Sequence, residues 1–179
     1  MPMKSTQQRY GAVPIAIHWI TALALLGLLL SGFRAEDMTD DAAKIGILRV
    51  HSAVGVSVLL LTVARILWWV AVDRKPAYPA AMPRWQQTAS SAVHGLLYLA
   101  VLLMAGSGIA TMALSGAGDI VWGGAAAPLP DFRQFAPRAA HGLGASILIL
   151  LSLLHIAAAL YHQFVLRDRL LARMGLGRL

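Results

Sequence analysis

Long apolar stretches alternate with short polar segments along this chain. The four stretches run from about Ala12 to Phe33, Leu48 to Val72, Ser90 to Leu114 and Arg138 to Leu166. A helix needs about 20 mostly apolar residues to cross the hydrocarbon of a bilayer, and each stretch reaches that length. The pattern predicts an all-α membrane protein, a bundle of four transmembrane helices.

The composition supports this interpretation. Of the 179 residues, 58% are hydrophobic and only 13% are charged, too little polar material to coat a soluble domain. Four helices of this length cannot be divided into independent cores, so we expect residues 1–179 to form a single domain. The chain has no cysteine, which excludes covalent c-type haem, cysteine-ligated iron–sulfur clusters and disulfides.

The connections between the stretches differ in character. Thr39, Asp40 and Asp41 are typical of a helix start, so a short surface helix is expected ahead of the second span. The segment KPAYPAAMPRW, with three prolines, indicates an irregular loop. The third connection, residues 115–137, is the longest, and a loop of this length commonly covers a site or is mobile.

Positive charges are shared unevenly between the two sides of the predicted membrane. Nine of the fifteen Lys and Arg residues lie in the N-terminal tail, the middle connection and the C-terminal tail, and five lie in the other two connections. Cytoplasmic segments carry the excess of Lys and Arg, so both termini are predicted to be cytoplasmic. The net charge of +7 sits in these short segments and forms no basic helix face, which argues against nucleic-acid binding.

Six histidines, all in the predicted spans, are the main candidates for a functional site. Ionisable residues are costly in lipid and by default mark function there. An interfacial hydrogen bond would explain a single such residue, but six in one small protein favour a site. They are His18, His51, His94, His141, His155 and His162.

The spacing of two histidines in the fourth span predicts two levels in the membrane. His141 and His155 are fourteen residues apart, so they share one helix face and lie about 21 Å apart along the axis. Zinc or copper ligands must converge on one point, which this separation forbids. Two haems, one near each surface, fit the spacing.

Depth in the membrane then indicates the axial partners. His51 lies at the outer level with His141 and makes an outer pair. At the inner level His18 is the natural partner of His155. By depth alone, however, His94 or His162 could replace either inner ligand, so the spacing leaves the inner pair unresolved.

Arg65 is the only charge well inside a predicted span. It follows His51 by fourteen residues, which places it on the same face at the inner level. A buried cation needs a counter-anion, and haem propionates would supply one. A side chain that extends to the cytoplasmic surface is an equal alternative.

Three segments carry a resemblance to a known family. They are IAIHWITALALL in the first span, LRVHSAVGVSVLLLTVARILWW in the second and HGLGASILILLSLLHIAAALYHQF in the fourth. From about Tyr10 to Met174 the chain resembles the bacterial cytochrome b-561 family, which is related to the cytochrome b subunits of formate dehydrogenases and nickel–iron hydrogenases. The resemblance implies a bundle in the bacterial inner membrane that holds two haems b.

The resemblance also implies roles for individual residues. One haem is expected between His18 and His155, and the other between His51 and His141. Arg65 matches a family arginine and is expected to bind the cofactor. His94 and His162 match family histidines that are not carried over as ligands. They are candidates for contacts with a quinone or with haem propionates, and the nearby Arg167 would favour such a contact at His162. An imidazole that simply extends to the membrane surface is the equal alternative.

The expected function follows from this ligand set. Two axial imidazoles leave a haem iron without an open position, which suits it to passing single electrons. We expect an electron-transfer oxidoreductase without dedicated catalytic residues, which connects a quinone in the membrane lipid to an outer-side partner. That partner is a small redox protein, a partner subunit or a one-electron reactant such as superoxide. Whether the chain forms a homodimer is left open by the sequence.

Two other classes of function remain. The chain would be the membrane-anchor cytochrome b subunit of a larger dehydrogenase, although its short tails and loops offer little docking surface. Alternatively, it would be a transporter whose histidines bind protons or metal. The transporter is expected to be colourless, whereas a cytochrome is red.

Overall fold

A computed structural model describes residues 2–177, and within that range every regular element is helical. Four of the helices are long and apolar enough to span a membrane, which confirms the predicted four-helix architecture. They contain the four predicted stretches and extend beyond them. In chain order the helices are α1 (Ala12–Asp37), α2 (Asp41–Leu67), α3 (Arg84–Leu114), α4 (Ala117–Val121), α5 (Ala136–Tyr161) and α6 (Leu170–Arg173).

Local sequence signals decide where the long helices begin and end. The Asp40 carboxylate caps α2 by accepting a hydrogen bond from the Ala42 amide, 3.0 Å away. The predicted helix start is therefore right, but no separate surface helix precedes the span. Instead, α2 runs without a break into the membrane, because no proline interrupts residues 41–67. Its last turn and that of α5 widen into π-helical turns, Trp68–Val72 and His162–Leu166.

The connections gather at two ends of the bundle. The end formed by residues 2–11, 73–83 and 167–177 is called the terminal end here, and the end formed by residues 38–40 and 115–135 the loop end. Residues 73–83 contain one turn and no helix, as the prolines predicted. The position of the terminal end in the cytoplasm stays a prediction.

A small apolar core lies midway between the two ends. Helix α1 packs on α2, α2 on α3, and α3 on α5. The core consists of Val58, Ala100, Val101 and Leu148. Val58 lies seven residues from His51, and Leu148 lies midway between His141 and His155. The core therefore separates one level of histidines from the other.

The outer surface of the bundle is apolar. One leucine from each long helix, Leu23, Leu60, Leu103 and Leu150, is 62–69% exposed. In water such side chains would destabilise the fold, whereas lipid solvates them and the helices satisfy their own backbone groups. The long helices thus form a multi-pass membrane unit with a largely apolar outer surface.

Candidate functional site

Two histidines face each other at the loop end. His51 projects from α2 and His141 from α5, with 6.2 Å between their ring centroids and 65° between their planes. Two imidazoles on opposite sides of one metal atom, each with a nitrogen about 2 Å from it, have ring centres about 6 Å apart. The pair is thus spaced for shared axial ligation.

A serine and a glycine on α1 hold the His51 ring. Ser31 Oγ lies 2.9 Å from His51 Nδ1 and also donates to the Leu28 carbonyl, 3.1 Å away. A Cβ on the next residue, Gly32, would stand 3.4 Å from His51 Cε1. The serine therefore occupies Nδ1, and the ring packs directly against the backbone at Gly32.

A serine followed by a glycine holds the His141 ring in the same way on α3. Ser107 Oγ and the Met104 carbonyl lie 3.1 and 3.0 Å from His141 Nδ1, and Ser107 donates to the same carbonyl at 3.0 Å. A Cβ on Gly108 would stand 3.2 Å from His141 Cε1. The sequence reasoning missed these residues. The sequence feature that could have revealed them is the Ser-Gly pair, which occurs once in α1 and once in α3.

A second facing pair lies at the terminal end. His18 on α1 and His155 on α5 are 6.2 Å apart between ring centroids, the same separation as in the loop-end pair. His94 on α3 comes within 5.0 Å of His155, too close for two imidazoles that share one metal atom. Its Nδ1 is 2.6 Å from the Ser90 carbonyl. His94 thus lies beside the pair that the resemblance implies, at a shorter separation from His155 than His18 has.

Arg65 points into the bundle at this level. Its Nη1 is 3.4 Å from His18 Nδ1, and its Cζ is 5.8 Å from the centre of the Tyr98 ring. Its Nε is buried without a hydrogen-bond acceptor. The guanidinium is therefore turned towards His18 and Tyr98, and its orphaned donor fits an anionic acceptor such as a haem propionate.

His162 lies further towards the terminal end, in the π-helical turn after α5. It is 9% exposed, and its Nδ1 is 2.5 Å from Asp168 Oδ2. The structure thus pairs His162 with Asp168 and not with Arg167. Arg167 and Arg169 have φ angles of 56° and 59°, and these two left-handed residues turn the chain on either side of the aspartate.

Sequence reasoning missed Asp168 because the contact spans a non-helical turn. A weak signal existed in the distribution of acidic residues. Of the eight Asp and Glu residues, only Asp73 and Asp168 belong to the segments that form the terminal end. Within residues 2–177, no three His, Asp or Glu side chains converge on one point as ligands of a single ion. Two histidines face each other at the loop end, and at the terminal end His18 and His94 both lie near His155.

Comparison with known proteins places the chain. Residues 9–177 match the sequence profile of a family described as prokaryotic cytochrome b561. The chain belongs to this family. Four proteins of curated sequence match it significantly, and those described below are similar to it over nearly their whole lengths.

Three relatives illustrate the range of the family. Cytochrome b562 of Cereibacter sphaeroides is 31% identical over 173 residues, which cover 92% of this chain and 94% of that protein. Cytochrome b561 homolog 2 of Escherichia coli is 28% identical, with 97% and 95% covered. A protein of Yersinia pestis named probable superoxide oxidase CybB is 27% identical, with 93% and 96% covered.

Membership in the cytochrome b561 family makes this protein a bacterial multi-pass membrane cytochrome that works in lipid with redox partners. The family implies haem b, which exchanges single electrons when bound. The residues present fit that group. Facing imidazoles could hold a haem b, which needs no covalent bond to cysteine, and Arg65 has a buried hydrogen-bond donor without an acceptor.

Proposed function

We propose that this cytochrome holds two haems b and carries single electrons from one surface of the bacterial inner membrane to the other. His51 and His141 are the axial ligands at the loop end, and His18 and His155 those at the terminal end. One observation carries the proposal. The two pairs lie on two levels of a single bundle, and both have the 6.2 Å separation that shared axial ligation requires.

The surroundings of each pair support this assignment. At the loop end the Nδ1 atoms of both rings are hydrogen-bonded, so each Nε2 lone pair is left for a metal. At the terminal end Arg65 supplies the cation that would hold a propionate. The apolar core between the levels keeps water from the path. These contacts link all four long helices, which supports a single domain.

At the terminal end, we propose a quinone as the electron partner. His162 follows His155 by seven residues, which puts it on nearly the same helix face about 10 Å further along. Reduction of a quinone to a quinol takes two electrons and two protons. The His162–Asp168 pair is a partly buried acid–base pair at the terminal surface, and it is suited to deliver those protons from the cytoplasm.

At the loop end, we propose a small one-electron reductant. The third connection is tied down over α2, since Arg49 Nε donates to the Val121 carbonyl at 2.8 Å and the Leu129 amide donates to Asp41 at 3.3 Å. The exposed cations Arg34 and Arg133 favour an anion there. Superoxide fits, as the name of the Yersinia pestis relative indicates. Each superoxide that gives up one electron leaves as dioxygen, so two of them reduce one quinone.

Optical spectra of the purified chain test this function. The wild type, His141→Ala and His155→Ala would be expressed with ample haem and purified in detergent, and haem would be counted per chain. We expect two haems b in the wild type and the loss of a different one in each variant. A colourless wild type would contradict the cytochrome assignment and favour a transporter.

A second measurement separates the proposal from the anchor-subunit alternative. The purified chain alone is mixed with a soluble quinone and a superoxide source, and quinol formation is recorded. We expect quinol from the isolated chain. A red, stable protein that forms quinol only together with another subunit would favour an anchor for a larger dehydrogenase.

A further inference from the structure

The hydrogen bonds at the loop end place the proton of each imidazole. A serine hydroxyl has one proton, and Ser31 gives its proton to the Leu28 carbonyl. Its oxygen can then only accept from His51 Nδ1. At the other ring the Met104 carbonyl, which only accepts, lies 3.0 Å from His141 Nδ1, and Ser107 acts there as Ser31 does at His51. Both loop-end imidazoles therefore carry their proton on Nδ1.

The terminal end has the opposite electrostatic surroundings. A guanidinium has donors and no acceptor, so Arg65 cannot accept a proton from His18 Nδ1, 3.4 Å away. If His18 gives its Nε2 lone pair to a metal, its Nδ1 proton faces a cation. Of the described residues, no carboxylate comes within salt-bridge distance of Arg65.

A cation close to His141 in the chain is compensated. Arg138 precedes His141 by three residues and forms a salt bridge with Glu36, with 3.2 Å between Nη2 and Oε2. Each haem b brings its own propionates, and Arg65 would neutralise one of them at the terminal end. What differs is the protein, which supplies hydrogen-bond acceptors at one level and, at the other, a cation with no carboxylate among the described residues.

This difference acts on the reduction potential. An acceptor on the N–H of an axial imidazole makes the ligand more basic, which favours the oxidised metal and lowers the potential. A cation beside the ligand disfavours the positive charge of the oxidised metal and raises the potential. The two contact sets therefore shift the potentials of the two levels in opposite directions.

We propose that Ser31, Ser107 and Arg65 are positioning residues that create a potential step across the protein, lower at the loop end and higher at the terminal end. The proposal rests on the diheme function above and names the residues that favour its direction. Electrons enter at the loop end, one from each molecule of the reductant, and leave at the terminal end. Two of them, with two protons, convert one quinone to a quinol.

A redox titration of the purified holoprotein tests the step. Absorbance is recorded against potential for the wild type, and the His141→Ala variant identifies the terminal-end signal. We expect the loop-end haem to have the lower midpoint potential. In Ser31→Ala the loop-end potential rises. In Ser107→Ala it rises by less, because the Met104 carbonyl still accepts from His141 Nδ1. In both variants the terminal-end potential stays in place. In Arg65→Gln the terminal-end potential falls.

Matched variants separate this role from a structural one. Ser57 on α2 is exposed, and its hydroxyl donates to the Ala53 carbonyl at 2.9 Å, away from the histidines. Ser57→Ala should leave both potentials unchanged. Ser107→Thr keeps the hydroxyl and should keep the loop-end potential close to the wild-type value. If Ser31→Ala does not fold, Ser107→Ala and Arg65→Gln still measure the two ends separately.

The outcomes of the titration distinguish a failure of the potential step from a failure of the proposed diheme function. Two haems with equal potentials, or with the lower potential at the terminal end, would overturn the step and leave the diheme function intact. Serine variants that shift both haems equally, or neither, would overturn the role of the serines. Fewer than two haems in the wild type would contradict the proposed function, and the step with it.

Discussion

His94 packs edge-to-face on His155 at the terminal end, with 5.0 Å between the ring centroids, and is closer to it than the facing His18 at 6.2 Å. The histidine nearer to His155 is therefore not the one at the separation that a shared metal atom needs. A metal atom shared by two imidazoles needs the longer separation, because both nitrogen–metal bonds must fit between the rings. The closer histidine is the neighbour of the proposed ligand pair, and the more distant one belongs to it.

His94 and His18 are thus expected to differ when each is replaced. His18→Ala should lose one of the two haems, since it removes an axial ligand. His94→Ala should keep both haems and shift only the spectrum or potential of the terminal-end one. Haem counting per purified chain checks this prediction. Loss of a haem in His94→Ala with two haems retained in His18→Ala would reverse the assignment of the inner pair.

Gly108 should be intolerant of a side chain because its position touches the His141 ring. A Cβ at Gly108 would lie 3.2 Å from His141 Cε1, whereas one at Gly106, on the same helix, meets nothing within 4 Å. Gly108→Ala should displace the ring and destabilise the loop-end site by about 1–3 kcal/mol, the usual cost of overpacking. Haem retention during heating checks this prediction. Equal retention in Gly108→Ala and Gly106→Ala would show that the ring relaxes freely.

Asp73 attaches the N-terminal segment to the terminal end. Its carboxylate accepts hydrogen bonds from the Ser5 amide and hydroxyl, both at 2.9 Å, from the Arg74 amide at 2.8 Å and from Trp68 Nε1 at 3.2 Å. Burial raises the pKa of the Asp73 carboxyl, but these hydrogen bonds outweigh burial and hold the pKa below its ordinary value of 3.8. The folded state therefore favours the ionised carboxylate.

The sign of the pH dependence follows from this shift. A carboxyl whose pKa is lowered by folding contributes its full stabilisation above the ordinary value of 3.8, and loses it as the pH falls through the folded pKa. Asp73→Asn should lower the free energy of unfolding at neutral pH by about 1–3 kcal/mol. It should also make stability less sensitive to acid.

Thermal unfolding of the purified protein between neutral pH and pH 3 measures this effect. Limited trypsin digestion at Lys4 and Arg9 reports release of the N-terminal segment. The exposed Asp37, at the end of α1, provides a matched control, and Asp37→Asn should behave like the wild type. An acid response in Asp73→Asn as steep as that of the wild type would assign the dependence to another group.

Asp168 should matter for proton delivery and not for haem binding. Asp168→Asn keeps the size of the side chain but cannot stabilise a protonated His162 through a negative charge. Reoxidation of the reduced protein by a soluble quinone should slow by about 10²-fold, the lower range for a positioned proton donor. Haem content should not change. Asp168→Glu should restore much of the rate.

Stopped-flow absorbance with excess quinone follows this reaction. Small weak acids added to Asp168→Asn should recover part of the rate, which a purely structural defect would not allow. A wild-type rate in Asp168→Asn would remove the His162–Asp168 pair from the proton path. A slow rate that neither Glu nor weak acids restore would assign it a structural role.

Several features were predictable from the sequence because they depend on distance along a single helix. The length of the apolar stretches predicts four spans, and the structure has them. Fourteen residues between His141 and His155, and between His51 and Arg65, predict two levels, since helical rise converts residue number into depth. The apolar residues midway between them form the core.

Other features depend on which helices become neighbours, and only the tertiary structure decided them. Depth made His18 the natural partner of His155 and left His94 and His162 open, and the packing of the helices places His18 across from His155 and His94 beside it. The contact of Ser107 with His141 joins residues 34 positions apart, and that of His162 with Asp168 crosses a turn outside helical geometry. Within one helix, the sequence determines how deep a residue lies in the membrane and which face of the helix carries it. Which side chains become partners depends on how separate helices pack, and the periodicity of a single helix does not encode that.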